Sequence, residues 1–254
     1  MYPFIKVFAL NIPTYGLCAC VAFLICALLA FKKAKICNID FNDLLILFAV
    51  SIGCGIFSGY LLYIVVTYGF ETICKLILSG DFSFFKNQGI VFYGGLIGGL
   101  IGGVVTARVL KIKIESLEVC IVPYIPLGHA IGRVGCLLAG CCYGFSYNGR
   151  FAVSTIFDGG QGTYFPIQAV EALCNLIILA VLFGFIRKKR KKFTILCLYL
   201  IMYSCLRFFL EFFRGDSIRG SFLAFSTSQW ISLLIILFCL VMWLAAINKE
   251  KAKS

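Results

Sequence analysis

The chain reads as long apolar runs punctuated by short polar and basic stretches. Neither strict alternation nor a one-sided helical stripe dominates. A helix needs roughly 20 mostly apolar residues to cross a hydrocarbon core about 30 Å thick at about 1.5 Å per residue. Seven segments meet that demand, approximately Pro13–Phe31, Leu44–Thr67, Ile90–Ala107, Val119–Leu138, Gln168–Ile186, Thr194–Phe213 and Gln229–Ile247. The last lies in a stretch, Gly220 to Asn248, that carries no charge at all. The fourth is interrupted by Pro123, Pro126, His129 and Arg133. The fold class expected is an all-α polytopic membrane protein, one integral-membrane domain over residues 1–254. The first span is read as retained rather than cleaved, because only Lys6 precedes it and further spans follow. Tyr68–Gly89 is too broken to span, and its Phe82, Phe84 and Phe85 suggest a piece lying on the outer interface. The polar loop Tyr143–Phe165 is placed on the same side.

Composition removes the soluble alternatives. Of the residues, 61% are hydrophobic and 13% charged, against about 45–50% and about 25% in soluble domains. The net charge of +12 would suit nucleic acid, but its distribution does not. Fifteen of the 23 basic residues fall after spans one, three and five and in the C-terminal tail, including the run Arg187 to Lys192. The positive-inside rule then sets the N-terminus outside and the C-terminus in the cytoplasm. The charge is a topology signal and an attraction to anionic membrane lipid; no nucleic-acid partner is expected.

Charge within a span costs about 2.5–3.5 kcal/mol at the helix centre, so such residues mark pairs, wet cavities or chemistry. His129 and Arg133 stand four apart on one helical face, amid Gly128, Gly132, Gly135, Gly140 and Gly144. Glycine there lets backbone approach backbone or ligand, and the guanidinium suits a phosphate. Tyr203, Arg207, Glu211 and Arg214 follow at spacings of 4, 4 and 3, which puts all four on one polar stripe of the sixth span. Gln168 and Glu171 open the fifth span behind Pro166, where capping alone would account for them. Paired glycines recur every four residues from Gly94-Gly95 to Gly102-Gly103, a close-packing face in its C-terminal part, with Tyr93 and the first pair an alternative floor for a ligand site. Most of the fourteen cysteines sit in apolar runs as small hydrophobes. Cys136, Cys141 and Cys142 cluster, but without further ligands at matching spacing, and the chain holds one histidine; no metal is expected. A vicinal Cys141–Cys142 disulfide would be strained.

With these residues in order, the chain resembles the bacterial phosphatidylglycerol–prolipoprotein diacylglyceryl transferase family over nearly its whole length. Gly132-Arg133-x-Gly135 with Gly140 and Gly144 is similar to the family's Gly/Arg signature, and Arg207-x3-Glu211-x2-Arg214 to its late Arg…Glu…Arg helix. Tyr15-Gly16, Gly59-Tyr60, Gly94-Gly95, Gln168, Glu171 and Gln229 fit in sequence order. There are departures. Tyr93 stands where the family usually has His, Cys136 where it has Asn, and Phe57-Ser58 where a basic residue is common.

The resemblance implies transfer of the diacylglyceryl group from phosphatidylglycerol to the lipobox cysteine of an exported prolipoprotein signal peptide. Glycerol 1-phosphate leaves, no cofactor is needed, and the setting is the bacterial cytoplasmic membrane. It implies Arg133, Arg207 and Glu211 as catalytic; His129, the one imidazole in the chain and on the face of Arg133, is expected to join them and supply what the missing His would supply. Tyr15, Tyr93, Gly94, Gly95, Gly135, Cys136, Gly140, Gly144, Gln168, Glu171, Tyr203 and Arg214 are implied in substrate binding, with Glu171 an alternative base. Three other classes remain open at this point: a divergent transferase using another acceptor, a lipid or anion transporter, and a non-catalytic scaffold.

Overall fold

The computed structural model describes residues 2–7, 10–69, 72–73, 75, 78–79, 89, 91–155, 162–186, 194–215, 221–222 and 225–251, with the side chains of residues 7, 10, 92, 93, 221, 222 and 244–251 outside that description. Most of the Tyr68–Gly89 segment and the basic run Arg187 to Lys192 therefore lie outside the described residues. The chain is mostly helical. Its elements are a hairpin β1 (Phe4–Val7) and β2 (Leu10–Pro13), helices α1 (Thr14–Ala34), α2 (Phe41–Tyr68), α3 (Phe92–Val109), α4 (Ile114–Ile121) and α5 (Ile125–Ala139), strands β3 (Val153–Ser154) and β4 (Thr163–Tyr164), helices α6 (Ile167–Ile186) and α7 (Thr194–Leu210), strands β5 (Ser221–Phe222) and β6 (Phe225–Ser226), and helix α8 (Thr227–Lys251).

Five helical stretches are long and apolar enough to cross a membrane: Thr14–Ala34, Phe41–Tyr68, Ile114–Ala139, Ile167–Ile186 and Thr194–Phe213. Their outward side chains are Leu, Ile, Val and Phe, among them Leu24, Phe57, Val66, Leu173 and Phe209. Polar groups point inward instead: Gln168, Glu171 and Asn175 of α6 are buried, spaced at three and four residues on one face. That inversion of the soluble pattern is what hydrocarbon solvent imposes. The third and seventh apolar segments are also helical, but their described apolar parts, Gly94–Val109 and Thr227–Trp243, are shorter.

Helix ends follow local chemistry. Pro13 belongs to β2, and α1 starts at Thr14, whose buried hydroxyl donates to the Tyr2 carbonyl. Asp40 caps α2, its carboxylate accepting from the Asn42 N–H at 2.9 Å. The fourth segment begins five residues earlier than expected, at Ile114, and is broken: Pro123 and Pro126 lack the N–H a continuous ladder needs, so Val122–Tyr124 tightens to a 3₁₀ turn between α4 and α5. Gly140, at φ 78°, closes α5 with its N–H on the Cys136 and Leu137 carbonyls.

The chain divides into two compact units, Ala34–Ser116 and Met1–Lys33 with Leu117–Ser254. In the first, α2 and α3 pack backbone to backbone. A Cβ on Gly94 would stand 2.7 Å from the Ser58 carbonyl oxygen, and one on Gly102 2.8 Å from the Cys54 Cβ. The Ser58 hydroxyl reaches the Gly94 carbonyl at 2.7 Å. Close helix packing thus requires glycine at position 94, whereas a Cβ at Gly95 would meet only an ordinary contact with the Gly55 carbonyl oxygen at 3.4 Å. The second unit is built on Val122, Ile178, Leu182, Ile195 and Tyr199, packed between the 3₁₀ turn, α6 and α7.

Candidate active site

The polar residues of the second unit come from several elements. Helix α5 presents His129 and Arg133 one turn apart, α6 presents Gln168, Glu171 and Asn175, and α7 presents Tyr199, Tyr203 and Arg207 at successive turns. Arg133 Nε lies 2.9 Å from Glu171 Oε1, an ion pair that ties α5 to α6, with the Glu171 side chain only 2% exposed. Arg133 also donates to the Tyr203 hydroxyl. The backbone under the carboxylate is pinned as well, since Asn175 Nδ2 donates to the Glu171 carbonyl at 2.8 Å.

Arg207 Nη2 stands 2.8 Å from Glu211 Oε2 and reaches Ser228 Oγ of α8 at 3.4 Å. Its Nη1 is buried and has no hydrogen-bond partner among the described residues; the same holds for Gln168 Oε1 and Asn175 Oδ1. A buried donor left unmade costs about 1–3 kcal/mol or more when charged, so an open guanidinium nitrogen points to a ligand that completes it. The two arginines belong to one electrostatic cluster. Tyr203 and Glu171 interact with both Arg133 and Arg207, and Arg214 is close enough to oppose the charge on Arg207. Three guanidiniums against the carboxylates of Glu171 and Glu211 leave one net positive charge for an anion.

His129 sits beside this cluster. Its Nδ1 shares a 3.1 Å hydrogen bond with the Tyr199 hydroxyl, and its ring lies 4.9 Å, centroid to centroid, from that of Tyr203. Gln168 Nε2 donates to the Cys141 carbonyl at 2.7 Å, and the Thr155 hydroxyl to the Gly140 carbonyl at 2.7 Å, so the turn after α5 is anchored from two directions.

Arg214 departs from the expected stripe. The α-helix ends at Leu210, Glu211–Phe213 forms a 3₁₀ turn, and Arg214 is extended, bridged to Gly144. The 3₁₀ turn advances the chain faster and rotates the following residue off the helical face. Arg214 thus reaches the cluster from an extended segment, through an isolated bridge to Gly144. Gly144 lies between two backbones: a Cβ there would come 2.8 Å from the Phe165 carbonyl oxygen and 3.0 Å from that of Phe213. Gly135 does the same at the α1–α5 crossing, where a Cβ would meet Cys18 Cβ at 2.7 Å. Gly132 faces open space beside Arg133. Tyr15, half exposed on α1, is within electrostatic range of Arg133 and the cysteines at the end of α5.

Cys136, Cys141 and Cys142 are free thiols. Hydrogen bonds from Cys136 and Cys141, then Arg214, hold the Cys142 thiol below its ordinary pKa despite burial. Tyr93, Gly94 and Gly95 belong to the other compact unit, and the Tyr93 side chain lies outside the described residues. The sequence reading missed the pairing of Glu171 with Arg133 across two helices. It also passed over Tyr199 and Asn175, although each stands four residues from a residue singled out, Tyr203 and Glu171.

A family model described as prolipoprotein diacylglyceryl transferase matches residues 3–245. The chain belongs to the prolipoprotein diacylglyceryl transferase family. Among curated relatives, phosphatidylglycerol–prolipoprotein diacylglyceryl transferase 2 of Clostridium perfringens is 30% identical, with 98% of this chain and 96% of the relative covered. The transferase of Clostridium tetani is 31% identical over 91% of this chain and 92% of its own, and that of Clostridium novyi 29% over 97% and 96%. Family membership therefore extends over both compact units and takes in every residue of the Arg133–Glu171–Tyr203–Arg207 cluster.

Proposed function

We propose that this chain transfers the diacylglyceryl group of phosphatidylglycerol to the lipobox cysteine thiol of exported prolipoproteins, in the bacterial cytoplasmic membrane. The reading rests on family membership and, within the molecule, on one observation: two partly buried guanidiniums from different helices share Tyr203 and Glu171, with Arg207 Nη1 open. The single surplus positive charge of the cluster matches the single negative charge of the phosphodiester. Seven spans with the N-terminus outside are part of the same proposal, supported by the helical α3 and α8 and by the one-sided basic loops.

In this mechanism the acceptor thiol loses its proton and the sulfur attacks the glyceryl carbon that bears the phosphate. The carbon–oxygen bond breaks, glycerol 1-phosphate departs and a thioether remains. Negative charge gathers on the leaving phosphate, so donors aimed at its oxygens from a water-poor site lower the barrier. Arg133 and Arg207 take that role. Glu171 and Glu211 hold the two forks in orientation, and Arg214, on its extended segment, draws the product away. Tyr203 and Tyr15 supply hydroxyls for the head group.

His129 takes the proton in this scheme, because Glu171 is engaged in the ion pair with Arg133. For Nε2 to accept, Nδ1 must carry its hydrogen and donate to the Tyr199 oxygen. General-base catalysis contributes about 10²–10⁴-fold. His129→Gln is therefore expected to lower kcat about 100-fold, with a smaller change in KM for phosphatidylglycerol. Undiminished turnover would remove the base role from His129. The assay for the whole reading uses the purified chain in phosphatidylglycerol nanodiscs with a lipobox peptide. The mass gain of one diacylglyceryl group on the cysteine is expected; a lipid-derived group on a different acceptor, or none on the thiol, contradicts it.

A further inference from the structure

The end of α5 gathers sulfur. Cys136 lies in its last turn, Gly140 leaves the helix in the left-handed region, and Cys142 is itself left-handed at φ 60°. That conformation is rare for a side chain with a Cβ and is held only where the surroundings enforce it. Here the reversal folds residues 141 and 142 back over the helix end, with the Cys141 N–H on the Cys136 carbonyl at 3.1 Å. The three sulfur atoms all lie within 4.8 Å of one another. Thiolates bound at a metal–sulfur distance of about 2.3 Å stand about 3.8–4.0 Å apart, so side-chain adjustments of about an ångström close the set.

The neighbourhood suits thiolates. Arg214 hydrogen-bonds Cys142, and Arg133 interacts with both Cys136 and Cys142, so two of the three sulfur atoms face guanidiniums. Cys141 and Cys142 are partly exposed, which leaves an approach from outside. The donor set selects the ion. All three donors are sulfur, and among the described residues no histidine or carboxylate joins the group as a fourth donor. Soft thiolates select cuprous ion, whereas structural zinc calls for a fourth protein ligand.

We propose that Cys136, Cys141 and Cys142 form a three-thiolate site for a soft monovalent cation of the cuprous class. Binding is ligand exchange with no change of oxidation state: three metal–sulfur bonds form, and each thiol still protonated releases its proton to solvent. The site stands on the thiols alone and rests on no step of the transfer reaction.

The test is a titration of the purified full-length chain with cuprous ion under anaerobic conditions against a chromophoric chelator. One equivalent should move to the protein with an ultraviolet sulfur-to-metal charge-transfer band, and Cys141→Ser/Cys142→Ser should weaken that binding at least about 10-fold. Cys197→Ser/Cys239→Ser, which alters a thiol pair elsewhere, should leave it unchanged. A band and affinity retained in the Cys141→Ser/Cys142→Ser protein would overturn the site. Should that variant not fold, alkylation of the wild type with and without cuprous ion decides the matter. Protection confined to residues 136, 141 and 142 supports the proposal, and protection spread over the other cysteines overturns it.

Discussion

Replacing Arg133 with alanine is expected to reduce diacylglyceryl transfer by at least about 100–1000-fold and to destabilise the protein at the same time. The catalytic loss follows from removing a charged donor that the transition state needs, which in comparable sites is worth about 10²–10³ in kcat. The stability loss has a separate origin. Glu171 is almost fully buried and its pairing atom is Arg133 Nε, so truncation leaves a carboxylate without its counter-charge. Breaking one side of a buried pair costs about 3–5 kcal/mol. The two effects separate in a second variant. Glu171→Gln on the Arg133→Ala background removes the stranded charge, so thermal stability in detergent should recover while transfer stays lost. Recovery of both would mean that Arg133 serves only to neutralise Glu171.

Arg207→Ala is expected to lower transfer by a similar factor with a smaller penalty in stability. Its partner Glu211 lies one turn away on the same chain segment, at the start of a 3₁₀ turn, and can rotate toward other polar groups when the guanidinium is gone. The more informative substitution is Arg207→Lys. Lysine keeps the charge but offers no planar fork. It cannot meet Glu211 and Ser228 through one nitrogen while presenting a second nitrogen to phosphate, as Arg207 does with Nη2 engaged and Nη1 open. A residual activity of a few per cent with raised KM for phosphatidylglycerol is expected. Wild-type kinetics in Arg207→Lys would show that charge alone suffices and that the open nitrogen has no role.

The extent to which these features were readable from sequence depends on whether they are local. The long apolar runs are properties of consecutive residues, and the helices α1, α2, α6 and α7 appear where the runs are. The break at Val122–Tyr124 was signalled by Pro123 and Pro126, because a missing N–H acts within one turn. Pairings between helices leave no such trace. Nothing in the spacing of Arg133 and Glu171 announces a 2.9 Å contact, and the position of Glu171 in a first turn suggested capping instead. Arg214 shows the opposite hazard: a 4-4-3 spacing describes a helical stripe only while the helix continues, and this one tightens after Leu210. The clustering of Cys136, Cys141 and Cys142 was visible in the sequence, but the convergence of their sulfur atoms was not. Its geometry comes from two left-handed residues in the turn after α5, and only one of them, Gly140, is a glycine.

In this mechanism Arg133 and Arg207 act on one phosphate. A double-mutant cycle of Arg133→Lys and Arg207→Lys, read as kcat/KM for phosphatidylglycerol in nanodiscs, tests this most directly. Two groups serving one anion are strongly non-additive. Once either fork is lost, the second substitution should cost less than about a third of its effect in the wild-type background, taken on the free-energy scale. Full additivity of the two losses would contradict a shared phosphate site.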